Sequence, residues 1–233
     1  MRILAFETSA KAASVALMED GRLLAESYQN TGLTHSQTLL SMAQNLLTTC
    51  GLTPAEVDAA AVAAGPGSFT GIRIGVAAAK GFAWGRELPL YGVSTLEAMA
   101  LSLGAMSGTV CACMDARRSQ VYNALFRADA GSVTRLCEDR AISLEDLAQE
   151  LKAISGPIYV VGDGAQLCCR TLTDLPLLPV PEHRRHQRAS GVALAAFRQA
   201  QDGAPCDGAA MVPNYLRLSQ AERERNERLG ISK

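Results

Sequence analysis

The run Gly65-Pro66-Gly67-Ser68-Phe69-Thr70-Gly71-Ile72-Arg73-Ile74-Gly75 holds the residue types and spacing best suited to chemistry in this chain. It follows an apolar stretch, Val57 to Ala64, and leads into a small-residue helix ending near Trp84. A strand that breaks at Gly-Pro-Gly and re-enters as a helix, with Ser68 or Thr70 at its start, gathers free backbone N–H groups at the positive end of the helix dipole. Such a nest can hold an anion. The same glycines have a second use. Gly71, Gly75 and Ala79 recur every four residues, a ridge without side chains against which another helix can pack closely. Both readings stand at this point. Ser68 lies in no Gly-x-Ser-x-Gly elbow and has no evident histidine base, which argues against nucleophilic catalysis. His183-Arg184-Arg185-His186-Gln187-Arg188 is a basic cluster, read either as a solvated loop or as a contact for a polyanion.

The elements that must position these residues come from a chain of 233 residues, long enough for one large domain or two small ones. Hydrophobic residues make up 48% and charged residues 19%, the balance of a globular protein rather than a disordered one. A net charge of −1 and 5% aromatic residues argue against a dedicated base-stacking or strongly basic RNA-binding module. The seven cysteines include no Cys-x-x-Cys and no zinc spacing. Cys111 and Cys113 alternate on an apolar strand and read as small hydrophobes. No signal peptide or membrane-length segment is evident, and a reducing cytoplasm is the expected compartment.

The elements occur twice in one order. Strands are predicted at Ile3–Phe6, Ser14–Met18 and Arg22–Tyr28, then a helix over Ser36–Cys50 with Leu39, Met42, Ala43, Leu46 and Leu47 on its apolar face. A buried strand at 57–64, the glycine helix, a strand at Leu90–Val93 and a helix at Thr95–Leu103 follow. Ser94 and Glu97 have the spacing of a capping box. The second round runs through strands at Thr109–Met114, Val121–Arg127 and Ser132–Cys137, then a helix at Leu144–Ile154 capped by Ser143. A strand at Ile158–Val161, a helical stretch to Leu172, a proline-rich link (Pro176–Pro181) and a helix at Ala189–Gln201 close it, with no clear final small strand. Strands alternating with helices require an α/β architecture of mixed sheets flanked by helices.

Ile-Leu-Ala-Phe-Glu-Thr-Ser at the start, His35-Ser36-Gln37, the Gly65–Gly75 run, Asp115-Ala116-Arg117-Arg118 with Val121-Tyr122, and Pro213-Asn214-Tyr215-Leu216-Arg217 occur in that order. With them the chain resembles the TsaB (YeaZ) family of the actin/Hsp70/sugar-kinase-like superfamily, over essentially its whole length. The resemblance implies two tandem RNase H-like, actin-like halves, residues 1–104 and 105–218. A charged C-terminal segment, 219–233, either returns to the first half or extends into solvent. It also implies a non-catalytic subunit that pairs with TsaD and supports the ATPase TsaE in forming threonylcarbamoyladenosine at adenosine 37 of tRNAs reading ANN codons, and that self-associates as a homodimer when its partner is absent.

The residues bear on that implication. A metal site of the TsaD type resembles two histidines one helical turn apart, and here His35 is followed by Leu39, so no metal is expected. Phosphate loops of the superfamily resemble an acid followed closely by glycine. Glu7-Thr8-Ser9 and Asp115-Ala116-Arg117 keep the acid and lack the glycine, while Gly162-Asp163-Gly164 keeps two glycines. Glu7, Thr8, Ser9, Asp115, Gly162 and Gly164 are thus candidates for vestigial or shared nucleotide contacts, with ATP and a metal ion expected on partner subunits and no cofactor here. The partner face is expected to be a helix bundle built on His35, Leu39, Met42, Ala43, Gly71, Ile74, Gly75, Ala78 and Ala79. Arg184, Arg185 and Arg188 are candidate tRNA contacts. The alternative reading is a stand-alone nucleotide-dependent kinase or ATPase resting on Glu7 and Asp115.

Overall fold

A computed structural model describes residues 1–103, 106–204, 208, 210–217, 225 and 228. Residues 2 to 29 form three strands, β1 (Arg2–Glu7), β2 (Ala13–Glu19) and β3 (Arg22–Gln29). Helix α1 (His35–Thr49), β4 (Ala59–Gly65), α2 (Phe69–Trp84), β5 (Leu90–Ser94) and α3 (Thr95–Leu101) follow. The second round comprises β6 (Gly108–Asp115), β7 (Gln120–Asp129), β8 (Ser132–Arg135), β9 (Arg140–Ser143), α4 (Leu144–Lys152), β10 (Ile158–Val161), α5 (Ala165–Thr171), β11 (Leu177–Pro179), α6 (Glu182–Arg185) and α7 (Ala189–Gln201).

The first sheet has the order β3-β2-β1-β4-β5 and the second β11-β10-β6-β7-β8, with β9 added on β7. In each, the first three strands run antiparallel and the next two lie parallel to the first. The duplicated architecture is real. It includes the final small strand that the sequence reading lacked: β11 sits inside the proline-rich link and pairs with β10 through Leu177–Pro179. Proline is tolerated there because an edge strand need not donate on its outer side. Strand β9 and the short α6 were also unforeseen. Only half of the expected capping box at α3 forms. Ser94 Oγ accepts from the Glu97 N–H (3.2 Å), but the Glu97 carboxylate pairs with Arg135 at 3.1 Å.

Strand alternation sorts the core. Leu4 and Phe6 of β1 face α1 and α2, together with Leu39, Met42, Ile72 and Val76. Ile3 and Ala5 face the other way and meet Ala98 and Leu101 of α3 and Val192 and Ala196 of α7. Leu96 and Met99 of α3 are meanwhile buried against Val110, Ala112 and Met114 of β6. The two halves therefore exchange helices: α7 of the second round covers the first sheet, and α3 lies between the sheets. Gly191 lets α7 and α3 touch, since a Cβ there would stand 2.1 Å from the Ala98 carbonyl oxygen. The 104/105 boundary and the tail from 219 fall outside the described residues, apart from Arg225 and Arg228.

Candidate functional site

A cleft of about 700 Å³ opens between the halves where β1, β4, β6 and β10 end. Ser9 and Lys11 line it from the β1–β2 loop, Gly67 to Phe69 from the start of α2, and Asp115 to Arg117 from the β6–β7 turn. Asp163 and the segment Asn214 to Arg217 complete it. That segment crosses between the halves. Asn214 N–H donates to the Ala64 carbonyl (2.7 Å), and Tyr215 stacks on Phe69 with ring centroids 4.8 Å apart. The Arg73 guanidinium lies 3.8 Å over the Phe69 ring and donates to Tyr215 Oη at 2.8 Å. Arg217 donates to the Ala116 carbonyl at 2.5 Å.

The glycine run is explained by its own chain. A Cβ on Gly65 would stand 2.4 Å from the Asn214 carbonyl oxygen, on Gly67 2.5 Å from that of Ser9, and on Gly71 2.1 Å from that of Thr8. On Gly75 it would stand 2.4 Å from Thr8 Oγ1. The Gly65–Pro66 peptide is cis. Ser68 N–H donates to the Ser9 carbonyl (2.7 Å), Gly71 N–H to Ser68 Oγ (3.3 Å), and Thr8 Oγ1 to the Gly71 carbonyl (2.7 Å). The run is a seam along which the β1–β2 loop lies flat on α2. One expectation is corrected outright and the other narrowed: Gly71, Gly75 and Ala79 are buried on the inner side of α2 rather than offered to a partner, and two donors of the expected nest, the Ser68 and Gly71 N–H groups, are used internally.

The acids sit at different depths. Asp115 is exposed and accepts the Arg117 N–H at 2.7 Å, fixing the turn. Glu7 is fully buried; one carboxylate oxygen accepts the Ser9 N–H (2.5 Å) and the other has no partner among the described residues. Burial pushes its carboxyl up to about 7, against hydrogen bonds from Ser9 and with the Asp163 charge adding to the rise. Asp163 is also raised by burial, while Gln187 donates to it at 2.9 Å. Because ionised Glu7 is disfavoured only in the folded chain, the folded state holds the extra proton between pH 4.5 and about 7. Stability must fall as pH rises through that window, by up to about 3 kcal/mol. Glu7→Gln keeps an acceptor for Ser9 and removes the charge. Chemical denaturation should find it more stable than the parent by about 1–3 kcal/mol at pH 8, with the gap closing at pH 5. A gap equal at both pH values would refute the assignment.

Against proteins of known family, residues 29–224 match the family model for TsaD, tRNA N6-adenosine threonylcarbamoyltransferase. The tRNA threonylcarbamoyladenosine biosynthesis protein TsaB of Bacillus subtilis is 32% identical over 227 residues, 95% of this chain and 96% of that protein. The chain belongs to the TsaB family. TsaB of Escherichia coli is 40% identical over 71% of this chain and 73% of its own length. A crystal structure from Pseudomonas aeruginosa, described as an uncharacterized protein with similarity to peptidase YeaZ, superposes with a TM-score of 0.79 at 28% identity. It covers 93% of this chain and 99% of that one.

Within this TsaB-family chain, the remaining candidates divide sharply. Gly162 N–H donates to the Arg185 carbonyl (2.9 Å) and Gly164 N–H to the Cys113 carbonyl (3.1 Å). Their missing Cβ atoms let the loop lie against β6, since a Cβ on Gly162 would stand 2.1 Å from the Cys113 oxygen. They are closure points, not open phosphate contacts. Of the expected bundle face, Leu39, Met42 and Ala43 are buried under the sheet and His35 Nε2 bonds the Ala10 carbonyl at 2.8 Å. Ile74, Ala78 and His35 reach the surface, each in part. The outer side instead carries residues the reading missed: Leu40 (59% exposed), Ala77, Gly81 and Trp84 (76% exposed). The basic cluster is also spoken for. Arg185 pairs with Glu182 (2.8 Å), Arg188 pairs with Glu26 (3.1 Å) over the Tyr28 ring, and Arg184 donates to the Ser102 carbonyl (3.4 Å).

Proposed function

We propose that this chain is a non-catalytic activating subunit in the formation of threonylcarbamoyladenosine on tRNA, pairing with TsaD and supporting TsaE. The observation that carries the reading is the near full-length relationship to B. subtilis TsaB, whose name states that pathway. The architecture supports it. The outer face of α1 and α2 presents Leu40 and Trp84 beside the small residues Ala77 and Gly81, which suits close approach by a partner helix. The same face would serve self-association when TsaD is absent.

Transfer chemistry, ATP and a metal ion belong on the partners in this reading. The cleft-loop glycines serve internal packing, and the Ser68, Gly71, Gly162 and Gly164 N–H groups are bonded within the chain. Among the described residues no three His, Cys, Asp or Glu side chains converge as a metal site. Among the described residues no helix is long and apolar enough to cross a membrane, consistent with work beside tRNA in the cytoplasm.

The test is reconstitution. Purified TsaD, TsaE and a threonylcarbamoyl-AMP synthase are incubated with unmodified tRNA, with and without this chain, and modified nucleoside is measured by mass spectrometry. Product should depend on the chain. Equal product in both reactions removes the reading.

A further inference from the structure

Arg185 and Arg188 hold carboxylates, whereas Lys11, Arg117 and Arg217 line the cleft. Lys11 is exposed, and among the described residues no carboxylate pairs with it. Arg117 has an 84% exposed side chain and, among the described residues, reaches one carboxylate, Asp115, only at 3.9 Å. Arg217 completes the rim, and Arg73 sits on the Phe69–Tyr215 stack behind it.

The turn that carries Arg117 is costly to form. Arg117, Arg118 and Ser119 all adopt left-handed backbone, with φ of 67°, 55° and 56°, where glycine would be the relaxed choice. Strain of this kind, held by Asp115, leaves the Arg117 side chain standing out in solvent. Two acids share the cleft: Asp115 accepts the Arg117 N–H of this turn, and Asp163 lies on the floor with Gln187.

Beyond Lys11, among the described residues, the adjoining hollow carries no acid. A second hollow of about 460 Å³ shares Lys11 and Ser68 with the cleft and is lined otherwise by Asn30, Thr34, His35 and Thr70 among others, with no carboxylate. Helices α1 and α2 both begin there, and neither has an acid in its first turn, so two positive dipole ends add to the ammonium.

We infer that this rim, running from Lys11 across the cleft mouth to Arg117 and Arg217, is the RNA-binding surface of the chain. Phosphodiesters meet Lys11 and Arg117, and the Phe69–Tyr215–Arg73 stack offers a platform for an unpaired base. The inference rests on the tRNA reading above and replaces Arg184, Arg185 and Arg188 as its contacts.

The experiment uses the complex of this chain with TsaD and an unmodified ANN-reading tRNA labelled for fluorescence anisotropy, titrated at several salt concentrations. Lys11→Ala with Arg117→Ala should weaken binding about ten-fold at low salt. It should also lower the slope of log affinity against log salt by about 0.7–0.9 per contact removed. Arg184→Ala should change affinity less than two-fold. Circular dichroism and co-purification with TsaD are recorded for each variant, and both substitutions sit on exposed side chains. An unchanged slope in a folded, TsaD-bound double variant overturns the surface and leaves the subunit reading intact. If the parent chain fails to pair with TsaD, the subunit reading falls, and the same slope measured on the isolated chain decides the surface.

Discussion

Gly71→Ala is expected to cost the fold about 3 kcal/mol or more, the upper range for forcing extra volume into a packed site. The added methyl would stand 2.1 Å from the Thr8 carbonyl oxygen, and that atom belongs to backbone. It cannot turn aside as a side-chain end would. Thr8 is held in turn by its hydroxyl bond to the Gly71 carbonyl, so moving it breaks a buried hydrogen bond. Gly81→Ala in the same helix is the control. Nothing lies within 4 Å of its Cβ position, and alanine is the better helix former, so stability should rise by about 0.5–1 kcal/mol. Urea unfolding of both variants gives the comparison. Equal midpoints would mean that the seam is not tightly packed.

Gly81→Glu should leave the monomer folded and weaken pairing with TsaD at least 100-fold, roughly 3 kcal/mol. The position faces outward between Ala77 and Trp84, so a carboxylate there is solvated in the free chain. In a close helix contact it would be stripped of water without a partner, which is where buried charge is most costly. Gly75→Leu makes the contrast. Its side chain would drive into Thr8 and Val62, so it should unfold the chain rather than spare the monomer and impair association. Sedimentation velocity with and without TsaD separates the two. Undiminished pairing of folded Gly81→Glu would exclude this face.

The sequence carried most of the architecture, because long periodic elements announce themselves. Helix α7 lies where its small-residue pattern put it, at Ala189–Gln201, and Ser143 caps α4 as expected, accepting the Asp146 N–H at 3.0 Å. Strand β11 was hidden by its prolines, and β9, four residues of mixed polarity, gave no alternation to read. The site was less legible for a different reason. Spacing of four places Gly71 and Gly75 on one side of α2 but does not say which side faces the sheet. Ile72, Val76 and Ala83 beside them, all buried, were the available clue. No local signal tells that Asn214 fills the space over Gly65, or that Arg188 holds Glu26, since those partners lie well over a hundred residues apart.

The exchange of helices has a consequence for synthesis. One face of the first sheet, with Ile3, Ala5, Ala59 and Ala61, is covered by α7, which leaves the ribosome about a hundred residues after β5. At about 5–20 residues per second that face stays open for some 5–20 s, while its own half is otherwise complete. Nascent chains in that interval present an apolar sheet surface to trigger-type chaperones, and ordering of the first half waits on sequence from the far end of the second. Arrest of translation near residue 180 should therefore hold the nascent chain in a protease-sensitive state that release of the finished chain, with α7 free to dock, abolishes.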